Sequence, residues 1–406
     1  MTEPISEPIS YLQHWDRTEP FDPPEVLAEL TRTRPLTRMV YPDGHVGWLA
    51  TNHDLAREVL SNHAFSHNFH TTHVPVTKRG EVFPSVPIVP GGFIHMDPPE
   101  HTGYRNLLSS EFSTRNMEAF APRLTELAAA QLAELREGGS PVDLLPQFIR
   151  PLSLRVLCDV LGVPFEGGPV LTALTDTSND DGASLEAERA AGTQAFFYLL
   201  DLVGKARVEP GDNIIGRLAG VTEMTDREIT NMVMIVFAAG FASCEGALAS
   251  SLLALLHHGE QLAAFRAAAE AGGAKGVEGA VEELLRYTSV NQFMIFRTAL
   301  ADLRLGGELI REGDTVTVAL PAANRDPAKF ACPAHLDVSQ DASGHLAFGY
   351  GVHACVGQRL ARMVLAEALS TLVLGLPGLA LDVPLEKVPL RLRTSVLGVL
   401  RLPVRF

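Results

Sequence analysis

The stretch from Thr225 to His258 narrows the fold more than any other. Thr225-Asp226-Arg227-Glu228 has the residue types of a capping box and Gly259 offers a stop, so the spacing predicts one helix of about 50 Å at 1.5 Å per residue. Its middle, Ile235 to Cys244, is apolar on every face, a pattern that fits a helix covered on all sides. A large, mainly helical body is needed to cover it. The 406 residues supply the length, and no Ser/Gly linker, charge block or repeat divides them, so a single domain over residues 1–406 is expected.

The chemistry gathers in a second stretch, His345-Leu-Ala-Phe348-Gly-Tyr-Gly351-Val-His353-Ala-Cys355-Val-Gly357-Gln-Arg359. A lone cysteine stands between two glycines, behind an aromatic residue, where a glycine-rich loop gives way to the helical pattern Leu360, Met363, Val364. Helix starts carry unpaired N–H groups and partial positive charge, which suits a thiolate sulfur. Gly351 and Gly357 let backbone come close to the sulfur, and Phe348 can shield it from water. A buried structural cysteine is the plainer alternative. The series Phe-x-x-Gly-x-His-x-Cys-x-Gly resembles the haem-thiolate loop of the cytochrome P-450 superfamily. The resemblance implies haem b (iron protoporphyrin IX), with Cys355 as axial iron ligand and Phe348, Gly351, His353 and Gly357 around it.

Further segments follow in the order that this resemblance implies. His95-Met-Asp97-Pro98-Pro99-Glu100-His101-Thr102-Gly-Tyr-Arg105 reads as a helix start with His101 and Arg105 on one face, which spacing alone would equally make a solvated basic face. It resembles the family segment whose histidine and arginine hold a haem propionate. Arg297, after the β-like run Asn291–Phe296, matches the other propionate-binding arginine, and Phe293 and Met294 would face the substrate. Glu283 and Arg286 are an i,i+3 pair, solvated by spacing alone but matching the family's buried Glu-x-x-Arg. Gln340 stands where the family has the pair's third partner, an arginine, and can still donate to a carboxylate.

In the long helix, Ala239-Gly240-Phe241-Ala242-Ser243-Cys244 resembles the family's oxygen groove. Gly240 stands where the helix can open, and Ala239, Phe241 and Ala242 would line the pocket. Ala242 replaces the acid of that pattern, Ser243 its first threonine and Cys244 its second. An alanine cannot carry a proton, and the Ser243 hydroxyl either holds a water or the bound oxygen or turns back to the i−4 carbonyl.

Between the motifs, a helix is expected near Pro24–Thr33, then a hairpin of Thr37–Tyr41 and Val46–Thr51 around Pro42-Asp43-Gly44, and Asn52 as cap of Leu55–Leu60. Ser61–Ile94 loses periodicity and would lie across a substrate entrance. Met117–Val208 is helical in pattern, with polar, acidic Thr172–Ala191 as a lid, and an Ala/Gly-rich surface segment follows the long helix. Leu303–Leu309 and Thr315–Leu320 read as a second hairpin, and short strands close the chain. The fold class is mainly α with a small β-rich lobe (α+β). By resemblance it is the cytochrome P-450 fold, with haem between the long helix and the cysteine loop.

With 33 Lys+Arg against 48 Asp+Glu, the net charge of −15 argues against nucleic acid or an anionic membrane as partner. Cys158, Cys244, Cys332 and Cys355 follow no metal or disulfide rhythm, which fits a reducing cytosol. No uninterrupted apolar run approaches roughly 18 residues, so a soluble protein is expected; a cytoplasmic location and a monomeric state are expected as well. The resemblance implies a bacterial-type monooxygenase of secondary (natural-product) metabolism, taking electrons from NAD(P)H through ferredoxin reductase and a ferredoxin. Arg359 and Arg362 are the candidates to meet that ferredoxin. Two other readings are oxidative coupling of an aromatic or cyclic-peptide substrate without oxygen insertion and a non-catalytic haem-binding or sensing module.

Overall fold

The computed structural model describes residues 7–11, 17, 19–83, 88–180, 182–292, 294–392 and 394–406. Its α-helices are α1 (Glu25–Thr33), α2 (His53–Ser61), α3 (Glu100–Glu111), α4 (Thr114–Gly138), α5 (Arg150–Leu161), α6 (Gly168–Asn179) and α7 (Leu185–Val208). They continue with α8 (Ile214–Ala219), α9 (Asp226–His257), α10 (Gly259–Gly276), α11 (Glu278–Thr288), α12 (Leu320–Ala323) and α13 (Gln358–Gly375). Contacts gather into two compact units: Met1–Pro87, Gly279–Cys355 and Leu390–Gly398 form one, and Ile88–Glu278, Val356–Pro389 and Val399–Phe406 the other. Each unit is threaded by the chain more than once, so no linker marks a boundary in the sequence.

The first unit is built on a six-stranded sheet in the order Ile9–Ser10, Leu36–Val40, Val46–Ala50, Thr315–Val318, Phe296–Ala299, Phe65–Ser66. Leu36–Val40 and Val46–Ala50 form the expected antiparallel hairpin, with Met39 opposite Gly47. Asn52 then caps α2 by accepting the Leu55 N–H at 3.0 Å. The second hairpin differs from expectation. Leu303–Leu305 pairs with Glu308–Ile310 across Gly306-Gly307, while Thr315–Val318 lies between Val46–Ala50 and Phe296–Ala299. Both glycines have positive φ, +57° and +90°, as a two-residue hairpin turn demands. Thr315–Val318 is buried at every position and belongs to a central strand. Asn291 makes one isolated bridge to Val396, and the strand carrying Arg297 begins only at Phe296. Trp48, Leu55, Val59, Val316, Val318 and the loop residue Leu346 share one core cluster.

The second unit is arranged around α9. Its capping box is complete: the Thr225 N–H donates to Glu228 Oε2 at 2.8 Å and the Glu228 N–H to Thr225 Oγ1 at 3.3 Å. By length and composition α9 could cross a membrane, yet it packs here against α5, α6, α7 and α13, and every residue from Gly246 to Leu255 is buried. That second half is covered as expected of a core helix, whereas the Ile235–Cys244 stretch, expected to be covered on all sides, stays partly accessible. The Ala/Gly-rich segment after α9 is the helix α10, with Phe265 and Ala269 buried and a break at Gly273. The expected lid, Thr172–Ala191, contains the end of α6 at Asn179 and the start of α7 at Leu185. Threonine hydroxyls bond back along α6, Thr175 to Thr172 O (2.9 Å) and Thr177 to Ala173 O (2.8 Å), so these polar side chains are satisfied within the helix itself.

Candidate functional site

In the first unit, the cysteine loop is held by hydrogen bonds at short intervals. The Leu346 N–H donates to Asn324 Oδ1 (2.6 Å), Gly349 N–H to Leu346 O (2.8 Å), Ala354 N–H to Gly351 O (3.0 Å) and Cys355 N–H to Phe348 O (2.8 Å). Gly351 has φ +73°, and a Cβ there would collide with Leu60 O of α2, so two independent demands select glycine. Arg57 of α2 clips the loop from outside, donating to the Tyr350 hydroxyl (2.7 Å) with its guanidinium 4.4 Å from the ring centre. Cys355 is exposed at the end of this construction. Arg297 is 5% exposed and donates to Phe296 O at 2.8 Å. The His353 ring meets His67 with centroids 4.8 Å apart. Sequence reasoning passed over His67, which lies in the aperiodic stretch and bears no motif.

Glu283 and Arg286 of α11 are both 0% exposed. Arg286 reaches Glu283 twice, at 2.6 and 2.8 Å, and the carbonyls of Asn324, Pro333 and His335 at 2.9, 2.9 and 3.1 Å. Glu283 also accepts the Asp337 N–H (3.0 Å) and Gln340 Nε2 (2.7 Å). Gln340 thus makes the donation that its amide allows.

In the second unit, His101 is 2% exposed and Arg105 half-buried, one turn apart on α3. The Tyr104 hydroxyl ties this helix to the start of α9 through Glu228 Oε1 at 2.6 Å. Among the positions of α9 that are not fully covered, Asn231, Met234, Ile235, Ala238, Ala239, Ala242 and Ser243 form a helical stripe that is apolar except at its ends. Ser243 Oγ donates to Ala239 O at 2.6 Å, the i−4 back-bond. Its single proton is committed there, leaving lone pairs for any other partner. Gly240 packs toward α5, where a Cβ would lie 3.2 Å from Leu157 Cδ2.

Phe241 does not line a pocket. It is 1% exposed, stacked on Phe237 (5.6 Å, 13°) with the Arg150 guanidinium 5.0 Å from its ring. One residue from Ala242 is 100° around a helix, which turns Phe241 to the covered side. Arg150 also bridges Asp176 (2.5 Å) and Glu245 (3.1 Å), a cluster no motif announced. Met294 is partly buried against the core cluster of Met39, Phe69 and Phe296. Phe293 lies outside the described residues.

The family profile for cytochrome P-450 matches residues 214–404. Cytochrome P-450-SU2 of Streptomyces griseolus is 37% identical over 387 residues, covering 95% of this chain and 94% of that protein. The chain belongs to the cytochrome P-450 family. Pentalenic acid synthase of Streptomyces avermitilis is 34% identical over 413 residues, 100% of both proteins. The crystal structure of CYP105P1 in complex with filipin I superposes with a TM-score of 0.90 at 31% identity, covering 98% of this chain and 99% of that one.

Cytochromes P-450 are haem oxidoreductases, so this chain is an enzyme and the sensing-module reading is set aside. Its residues fit haem. Among the described residues no group of three or more His, Cys, Asp or Glu is placed to hold a metal, whereas an iron that brings its own macrocycle needs only one protein thiolate. Burial pushes the Cys158 thiol up to about 12 and the Cys244 thiol up to about 11, so both stay protonated at neutral pH. Cys355 is instead presented by a fastened, exposed turn. In the same unit as Cys355, the buried guanidinium of Arg297 is of the kind that pairs with a carboxylate.

Proposed function

We propose that this cytochrome P-450 inserts one oxygen atom into a C–H bond of a small, largely apolar natural product. Two electrons come from NAD(P)H through ferredoxin reductase and a ferredoxin, two protons are consumed, and the second oxygen atom leaves as water. Haem, when bound, would supply the activation of dioxygen. Cys355 would hold its iron through the thiolate, with Phe348 and the glycine turn fixing the approach of the sulfur. His101, Arg105, Arg297 and His353 would take the propionates. The Ala238–Ala239–Ala242 face of α9, lacking bulk and charge, takes the apolar body of the substrate. The natural-product setting is supported by the pentalenic acid synthase relative and by the filipin I bound in the structural neighbour.

The observation that carries this reading is the exposed Cys355 on a loop fastened at Asn324, Leu60 and Arg57. The deciding experiment is turnover with ferredoxin, ferredoxin reductase, NAD(P)H and labelled dioxygen, followed by product mass. A gain of one labelled oxygen atom supports monooxygenation; reduced, thiolate-ligated protein that yields no oxidised product from a panel of apolar macrolides and terpenoids refutes it. One observation favours oxidative coupling as a second reading. The Ser243 proton is turned to Ala239 O and Ala242 carries none, which suits a reaction whose hydrogens come from the substrate. Loss of two hydrogen atoms without label would identify it.

A further inference from the structure

His345 opens the cysteine loop, and its side chain is only 2% exposed. Two contacts fix which ring nitrogen carries the proton. The Ala347 backbone N–H points at Nδ1 (3.1 Å), and because an amide nitrogen can only donate, Nδ1 must present its lone pair. In the neutral ring the proton then sits on Nε2, 3.1 Å from Glu282 Oε2 of α11. The same ring lies 5.9 Å from that of Phe348, whose carbonyl accepts the Cys355 N–H. The neighbouring polar groups serve the backbone around His345 rather than its ring. Asn324 accepts the Leu346 N–H, His53 Nε2 meets Gly344 O at 2.9 Å, and Lys329 lies beside Gly344.

We propose that His345 is a positioning residue for the thiolate. Held in one tautomer between Glu282 and the Ala347 amide, it clamps the loop to α11 and so sets where Phe348 and the Cys355 sulfur stand. The proposal rests on the haem-thiolate reading above. It differs from simple core filling because the two ring nitrogens have separate tasks. An asparagine oxygen falls near the place of Nδ1 and keeps the Ala347 bond without reaching Glu282. A glutamine amide reaches the place of Nε2 and keeps Glu282 while losing Ala347.

The test uses the full chain loaded with haem, reduced under carbon monoxide, with far-UV circular dichroism confirming the fold. His345→Asn should keep the red-shifted, thiolate-type Soret band and its lifetime within about twofold of wild type, since the loop bond survives. His345→Gln should convert to the non-thiolate form about tenfold faster, the rate factor that one lost hydrogen bond allows. Its Fe(III)/Fe(II) midpoint should move as well. Glu282→Leu frees the ring from its outer anchor and should speed conversion about threefold, a smaller share of the same clamp. Wild-type lifetime and midpoint in Glu282→Leu overturn the proposal whatever His345→Gln does, as does a His345→Gln indistinguishable from His345→Asn. A wild-type protein with no thiolate-type band would instead overturn the haem-thiolate reading itself.

Discussion

Replacing Arg286 with methionine tests how the cysteine-bearing unit is held together. All five guanidinium N–H groups are used, two on Glu283 and three on the carbonyls of Asn324, Pro333 and His335. Glu283 in turn accepts four hydrogen bonds, from Arg286 twice, Asp337 and Gln340. Methionine removes the counter-charge paired with a carboxylate that has no solvent access. Breaking one side of such a buried pair costs about 3–5 kcal/mol, because the remaining charge keeps its desolvation penalty. Removing both charges together, as Glu283→Leu with Arg286→Met, leaves only the orphaned carbonyls and amides, so the double variant should be at least about 2 kcal/mol better than the sum of the singles. Urea unfolding of all four proteins, followed by tryptophan fluorescence, gives both numbers. The chain also links this network to the loop, since Asn324 accepts from Arg286 with its carbonyl and from Leu346 with its side chain. Arg286→Met should therefore lose the thiolate-type spectrum at urea concentrations where wild type keeps it. An Arg286→Met protein within about 1 kcal/mol of wild type, or additive singles, would refute the claim that the pair is a closed, interdependent unit.

Three further outcomes are expected. Burial holds the His95 imidazole down at about 4 against its ordinary 6.5, so the folded state resists the proton that the unfolded chain takes up, and stability should be lost as pH falls from 6.5 to about 4. The loss amounts to about 3 kcal/mol once both values are passed, and His95→Phe should flatten the profile; an unchanged slope in that variant contradicts the assignment. Reversing Arg359 and Arg362, whose guanidinium groups donate to Thr114 and Gln358, should slow reduction by ferredoxin at low salt and have little effect at high salt, where steering is screened. Equal rates at low salt would place electron entry elsewhere. If the substrate's own polar group completes the proton path that Ala242 and Ser243 leave open, an analogue methylated there should bind yet divert electrons to peroxide, with partial rescue by Ala242→Glu; equal coupling for parent and analogue would show that water suffices.

Much of this architecture is legible in the sequence where one local signal decides it. The capping box and the apolar run of α9, the Asn52 cap and the Pro42-Asp43-Gly44 hairpin are all fixed within a few residues. Thr315–Val318 could not be read that way, because its partners Val46–Ala50 and Phe296–Ala299 are chosen by burial on both faces rather than by the nearest turn. Phe241 was misplaced because an apolar residue on an all-apolar helix gives no sign of which side is covered; Arg150, 91 positions earlier in the chain, settles it. The cysteine loop shows its glycines and aromatic in sequence, but not its fastenings. Asn324, Leu60, Arg57 and Glu282 carry no motif and meet the loop only through the fold.

The central claim is that Cys355 is the thiolate ligand of a haem enzyme, and one spectrum tests it most directly. Reduced wild-type protein under carbon monoxide should show the strongly red-shifted Soret band characteristic of thiolate-ligated haem, and Cys355→Ser, with the same far-UV circular dichroism, should lose it. An unshifted band in the wild type, or a thiolate-type band that survives Cys355→Ser, would contradict it.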